Sequence, residues 1–185
     1  MGQLWWYLAR SSGVMAWIAA TGSVAAGLVG ATRRSPDAAR RRWWIDLHRG
    51  FAGLACALAA LHVITILADS FIDFTLADAL VPFWGAGGDL GLAAGVLAFY
   101  LLAAIEATSF AMQRLPQWAW RTVHETSFGL FALATVHASL VGTDSTNPVV
   151  RGLGIAGIAL VVALAVDRLR RRFKHPRLVR TSSTT

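Results

Sequence analysis

Five apolar stretches separated by short polar connections set the pattern of this chain. Residues 11–32, 50–68 and 126–143 hold no Asp, Glu, Lys or Arg, and each approaches the roughly 20 residues that carry an α-helix across a hydrocarbon core. Residues 90–105 and 152–166 are shorter apolar runs, which 107–113 and 148–150 extend. The pattern predicts an all-α, polytopic membrane bundle with helices over 12–32, 45–67, 90–113, 120–141 and 148–169. The connections carry turn signals: Ser35-Pro36-Asp37 after the first helix, and the polar run 142–148 before the fifth. The connection 69–89 holds four Asp and no base. Its Phe71, Phe74, Leu76, Leu80 and Val81 suit a short segment lying in the membrane interface.

Composition agrees with a lipid environment. The 185 residues are 56% hydrophobic and 15% charged, whereas soluble domains carry about 25% charged residues. The net charge of +7 is not spread evenly: 15 of the 17 Lys and Arg fall in three clusters, at 33–49, at Arg114 with Arg121, and at 168–180. These clusters sit at alternate helix ends, the positive-inside pattern. It places the N-terminus outside and the C-terminus in the cytoplasm of a plasma-membrane protein, and it argues against a nucleic-acid surface. Aromatic pairs mark the interfaces: Trp5 and Trp6 outside, Trp43 with Trp44 and Trp118 with Trp120 inside. Residues 1–11 then read as an outer interfacial flank, 12–169 as the membrane domain and 170–185 as a basic cytoplasmic tail. The lone Cys56 excludes an intrachain disulfide and the cysteine patterns of zinc and iron–sulfur sites.

Chemistry enters with four histidines inside apolar stretches: His48 and His62 on the second helix, His124 and His137 on the fourth. Members of one pair are about 20 Å apart along a helix, too far for one metal. With both helices running from inside to outside, His48 lies level with His124 and His62 level with His137. Two bis-imidazole sites at two depths suit two stacked, non-covalently held haems. The phase is less simple. At about 100° per residue, the 14-residue step from His48 returns to nearly the same face, but the 13-residue step from His124 leaves His137 about 140° away. The fourth helix is therefore either distorted, at Gly129, or approached from two flanks.

These residues resemble a family. Leu47-His48-Arg49-Gly50 with Gly53 and His62-Val63, and Trp120-Arg121 followed by His124 and His137, are similar to the two ligand helices of the ferric reductase-like transmembrane domain. Its members include ferric reductases, NADPH oxidases and the haem-binding membrane subunit of the bacterial methionine sulfoxide reductase system. The resemblance implies two haem b groups, with His48 and His124 as axial ligands of the inner iron and His62 and His137 of the outer. It also implies transmembrane electron transfer, from a cytoplasmic or quinol donor to an outer acceptor. The one Gly-x-Gly-x-x-Gly string, Gly152 to Gly157, lies inside the fifth apolar stretch and does not follow a strand, so it reads as helix packing and not as a nucleotide loop. A separate donor, a flavoprotein or a quinol, is expected for this oxidoreductase component. The competing class is a non-redox membrane protein, a transporter or assembly subunit using the histidines for protons or a metal.

Other positions carry expectations of their own. Arg49 and Arg121 flank the inner ligands as candidate propionate contacts, and Arg10 and Arg151 are the outer counterparts. Phe51, Phe128 and Phe131 are candidates for packing on a porphyrin. Glu106 is an acid deep in the third helix, expected to pair or to reach the interface. Gly152, Gly154 and Gly157 suggest close helix packing, and His175 in the basic tail is not expected to ligate.

Overall fold

A computed structural model describes residues 2–32, 37–69, 73–84 and 88–174. His175, the basic tail beyond it, the arginines at 33–34 and Phe71 lie outside the described residues. The described chain is all α-helical, with no strand: α1 (Gly2–Thr32), α2 (Ala38–Ala68), α3 (Leu76–Leu80), α4 (Leu90–Phe110), α5 (Gln117–Glu125), α6 (Ser127–Leu140) and α7 (Pro148–Lys174). Four helices, α1, α2, α4 and α7, are long and apolar enough to span a bilayer. The remaining apolar stretch is divided at Thr126 into α5 and α6, so neither part meets that length alone.

Several helices extend beyond their apolar cores. The aromatic flank Leu4–Tyr7 belongs to α1, which is continuous from Gly2, so no separate N-terminal segment precedes the first helix among the described residues. The second helix begins at Ala38, where Asp37 accepts from the Ala39 N–H at 2.9 Å and closes the first turn. That places Trp43 and Trp44 on the helix. Asp89 caps α4 in the same way, accepting from the Gly91 and Leu92 amides. The short α3 opens with a reciprocal capping box between Thr75 and Asp78. Its C-terminal end is tied to the bundle by the Tyr100 hydroxyl, which donates to the Leu80 carbonyl. Just beyond, Phe83 takes φ 62°, a left-handed conformation that is costly for a bulky side chain.

The packing plan is two antiparallel hairpins. α1 lies along α2 and α4 lies along α6; α1 touches α6 and α2 touches α4, leaving α2 and α6 on a diagonal. α7 lies against the outer face of α1. There Leu28, Phe131 and Val161 form a buried cluster with Trp17, Val24 and Leu164. Trp17 stacks on Phe131 at 5.7 Å and donates from Nε1 to the Thr135 hydroxyl at 2.9 Å. Gly157 is where α7 meets Trp17, while Gly152 and Gly154 face open space. Most apolar side chains of α7 remain exposed, including Val149, Ile155 and Val162. So much apolar surface on helices whose backbone groups are internally paired fits lipid rather than water. The chain is a multi-pass membrane protein.

Candidate functional site: two facing imidazole pairs

The diagonal between α2 and the α5–α6 pair is bridged by the four histidines, His48 and His62 on α2, His124 on α5 and His137 on α6. The His48 and His124 rings face each other with centroids 5.7 Å apart and planes at 75°. His62 and His137 do the same at 6.1 Å and 78°. Two metal–imidazole bonds of about 2 Å and two ring radii of about 1 Å span about 6 Å. Each gap is therefore the size for one metal atom between two imidazoles. The fold brings together the pairs that depth matching on the sequence predicts.

Three of the rings are braced by a backbone carbonyl, and His48 Nδ1 has the Ser23 hydroxyl beside it as well, at 3.0 Å. His48 Nδ1 lies 2.9 Å from the Ser23 carbonyl oxygen, His62 Nδ1 lies 2.7 Å from that of Ala9, and His137 Nδ1 lies 2.9 Å from that of Gly91. A carbonyl oxygen only accepts, so each Nδ1 carries the proton and donates it. That tautomer leaves Nε2 as the free lone pair of each ring, and a hydrogen bond at the other nitrogen is the usual brace of a ligating histidine. Four residues after each accepting carbonyl comes a glycine against the same ring: Gly27 at His48, Gly13 at His62 and Gly95 at His137. A Cβ added at these glycines would lie 3.2, 2.9 and 2.5 Å from Nδ1, respectively. The carbonyl-plus-glycine cradle thus lets a flanking helix hold a ring by its backbone.

These glycines lie against the candidate site and are positions that the histidines alone do not point to. The signal was present in α1: Gly13 and Gly27 are fourteen residues apart, as are His48 and His62. Gly22 serves α2 similarly, since an added Cβ would touch the Phe51 ring at 3.2 Å. Phe51 therefore packs on α1, and Phe131 lies in the α1–α7 cluster with Trp17, leaving Phe128 the exposed member of the three.

The α5 histidine is held differently. His124 Nδ1 is buried with no hydrogen-bond partner among the described residues, and so is Trp120 Nε1. The two rings stack, with centroids 5.0 Å apart and planes at 23°. Between His124 and His137 the helix breaks at Thr126, not at Gly129. Thr126 takes ψ −6°, its N–H reaches Val123 O at 3.1 Å, and its hydroxyl donates to the same oxygen at 2.6 Å. A tightened turn and a back-bonding Thr both rotate and bend a helix. This break lies between the two rings and takes up part of the phase difference that a 13-residue step leaves.

The flanking charges divide. Arg10 donates through Nε to Asp144 at 2.8 Å and through a second nitrogen to the other carboxylate oxygen, with its guanidinium 3.9 Å above the Trp6 ring. Its charge is committed to that pair, which ties α1 to the loop after α6. Arg49, Arg121 and Arg151 are exposed. Glu106 is half-buried and makes no ion pair among the described residues. No group of three or more His, Cys, Asp or Glu among the described residues is placed to hold a metal ion. Each facing pair offers two imidazoles. No family model matches the chain, and no curated protein or solved structure matches it either. The resemblance to the ferric reductase-like domain accordingly rests on the quoted sequence motifs and the histidine spacing alone.

Proposed function

We propose that the protein is the membrane subunit of an oxidoreductase that carries electrons across the bilayer through two bis-histidine b-type haems. The single observation that carries this reading is the pair of facing imidazoles at two depths, each with one metal's room between its rings. His48 and His124 would hold the inner iron, and His62 and His137 the outer one. When bound, the haems supply one-electron redox centres whose axial ligands need no rearrangement.

The residues of the chain do the rest. Nδ1–H bonds to the Ser23, Ala9 and Gly91 carbonyls fix the tautomer and leave Nε2 as the lone pair that would meet iron. Gly27, Gly13 and Gly95 let the flanking helices approach those rings. The exposed Arg49 and Arg121, at the inner end, are placed to meet carboxylates there. By the charge bias of the connections the N-terminus is outside, and electrons pass from a cytoplasmic flavoprotein or a quinol to an acceptor on the outer side.

The test is spectroscopic. Protein purified from haem-sufficient cells should show reduced-minus-oxidised bands of b haem at two haems per chain. His62→Ala should remove one and leave the other. Imidazole planes near perpendicular make the ferric low-spin signal strongly anisotropic in electron paramagnetic resonance. A colourless preparation, or equal loss of both haems from His175→Ala, would overturn the reading.

A further inference from the structure

The four imidazoles are not equivalent, and the exception is on the cytoplasmic side. Three have a carbonyl for Nδ1–H and a glycine beside the ring; His124 has neither. On α4, the step of fourteen residues that relates the two cradles of α1 leads from Gly91 and Gly95 to Ile105 and Ser109, where the glycine is missing. In place of the cradle, the flat face of Trp120, one helical turn earlier, lies on the His124 ring.

Building on the electron-transfer reading, we infer that Trp120 is the positioning residue of His124 and that the inner haem has the higher midpoint potential of the two. Donation of Nδ1–H to a carbonyl makes an imidazole a stronger electron donor, which favours ferric iron. His137, His62 and His48 have that bond. His124 does not, so the inner iron receives less charge and is reduced more readily. The surrounding charges act in the same direction. At the inner end Arg40, Arg41, Arg42, Arg49 and Arg121 outnumber Asp37, Asp46 and Glu125, whereas at the outer end Arg10 offsets Asp144, and Asp69, Asp73, Asp78 and Asp89 outnumber Arg151. Positive surroundings favour the reduced iron, which carries one positive charge fewer than the oxidised form.

A stacked face restrains tilt but supplies no directional bond, so this ligand is also the one that exchanges. The decisive experiment is a redox titration of the purified full-length protein, combined with carbon monoxide added to the dithionite-reduced form. Two waves are expected. In His62→Ala, which lacks one outer ligand, the surviving wave should be the more positive one. Trp120→Leu should shift that wave and let carbon monoxide perturb one of the two haems, while Trp120→Phe, which keeps a stacking ring, should behave as the parent. Survival of the more negative wave in His62→Ala would overturn the inference, and that result does not depend on Trp120→Leu folding. Unchanged potentials and no carbon monoxide response in a Trp120→Leu protein that keeps two haems would overturn it as well. Absence of haem from the parent protein would instead defeat the electron-transfer reading beneath it.

Discussion

Gly95→Ala is the sharpest test of how the rings are held. The new methyl carbon would lie 2.5 Å from His137 Nδ1, 2.7 Å from Cε1 and 3.0 Å from Cγ. To regain an ordinary contact of about 3.5 Å the ring must retreat by about 1 Å. That retreat lengthens the 2.9 Å bond from Nδ1–H to the Gly91 carbonyl beyond hydrogen-bonding range. Overpacking of this kind costs about 1–3 kcal/mol and the lost bond about 1 kcal/mol. The gain in helix propensity from Gly to Ala returns about 1 kcal/mol. The balance is a loss of about 1–3 kcal/mol, or roughly fivefold to 150-fold in affinity for whatever His137 binds. The same change at Gly13, where the contact would be 2.9 Å, should cost less, and at Gly27, at 3.2 Å, less again. Gly50, with nothing within 4 Å, should only gain helix propensity. Haem per protein from the reduced-minus-oxidised spectrum and the unfolding midpoint in detergent together read the series. Gly95→Ala that keeps full outer haem and melts with Gly50→Ala would refute the cradle argument.

Thr126→Ala removes the hydroxyl bond to Val123 and should relax the break, misaligning His137 relative to His124; the outer haem signal should fall more than helix content measured by circular dichroism. Arg10→Ala and Asp144→Ala should each loosen the outer end of α1. A double-mutant cycle on the unfolding midpoint should give a coupling of about 1 kcal/mol, as for a well-oriented two-bond pair that is not fully exposed. The Thr75 hydroxyl, and then its amide, hold the Asp78 carboxyl below the usual carboxylate range. The α3 cap is therefore intact above that range and is lost as pH falls through the depressed value. Trp84 emission should report the change on acidification, and Asp78→Asn should flatten it.

Much of this architecture was legible in the residues. Charge-free runs marked the membrane helices, and equal depths on two helices of the same direction paired His48 with His124 and His62 with His137. The position of the helix break was not legible. A glycine in mid-helix is the conventional suspect, but Gly129 is simply helical, while Thr126 diverts its own hydroxyl to a carbonyl one turn back. The helix ends also ran past their apolar limits, because Asp37 caps a polar turn ahead of Trp43 and hydropathy does not register capping. The cradles were half visible: the matching spacing of Gly13 with Gly27 lay in α1, but only the antiparallel register of α1 on α2 assigns each glycine to its ring. The commitment of Arg10 to Asp144 joins residues far apart in sequence and needed the fold.

The diagonal arrangement of α2 and α6 has a consequence for biogenesis. Each helical hairpin carries half of both donor sets and most of its own backbone bracing, so each can enter the bilayer as a finished unit. The seam between them is closed by the Trp17–Phe131 stack on one side and contains the facing imidazoles in the middle. On the proposed reading, prosthetic-group loading is the step that fastens the two halves, and haem-starved cells would accumulate an inserted but splayed protein exposed to proteases.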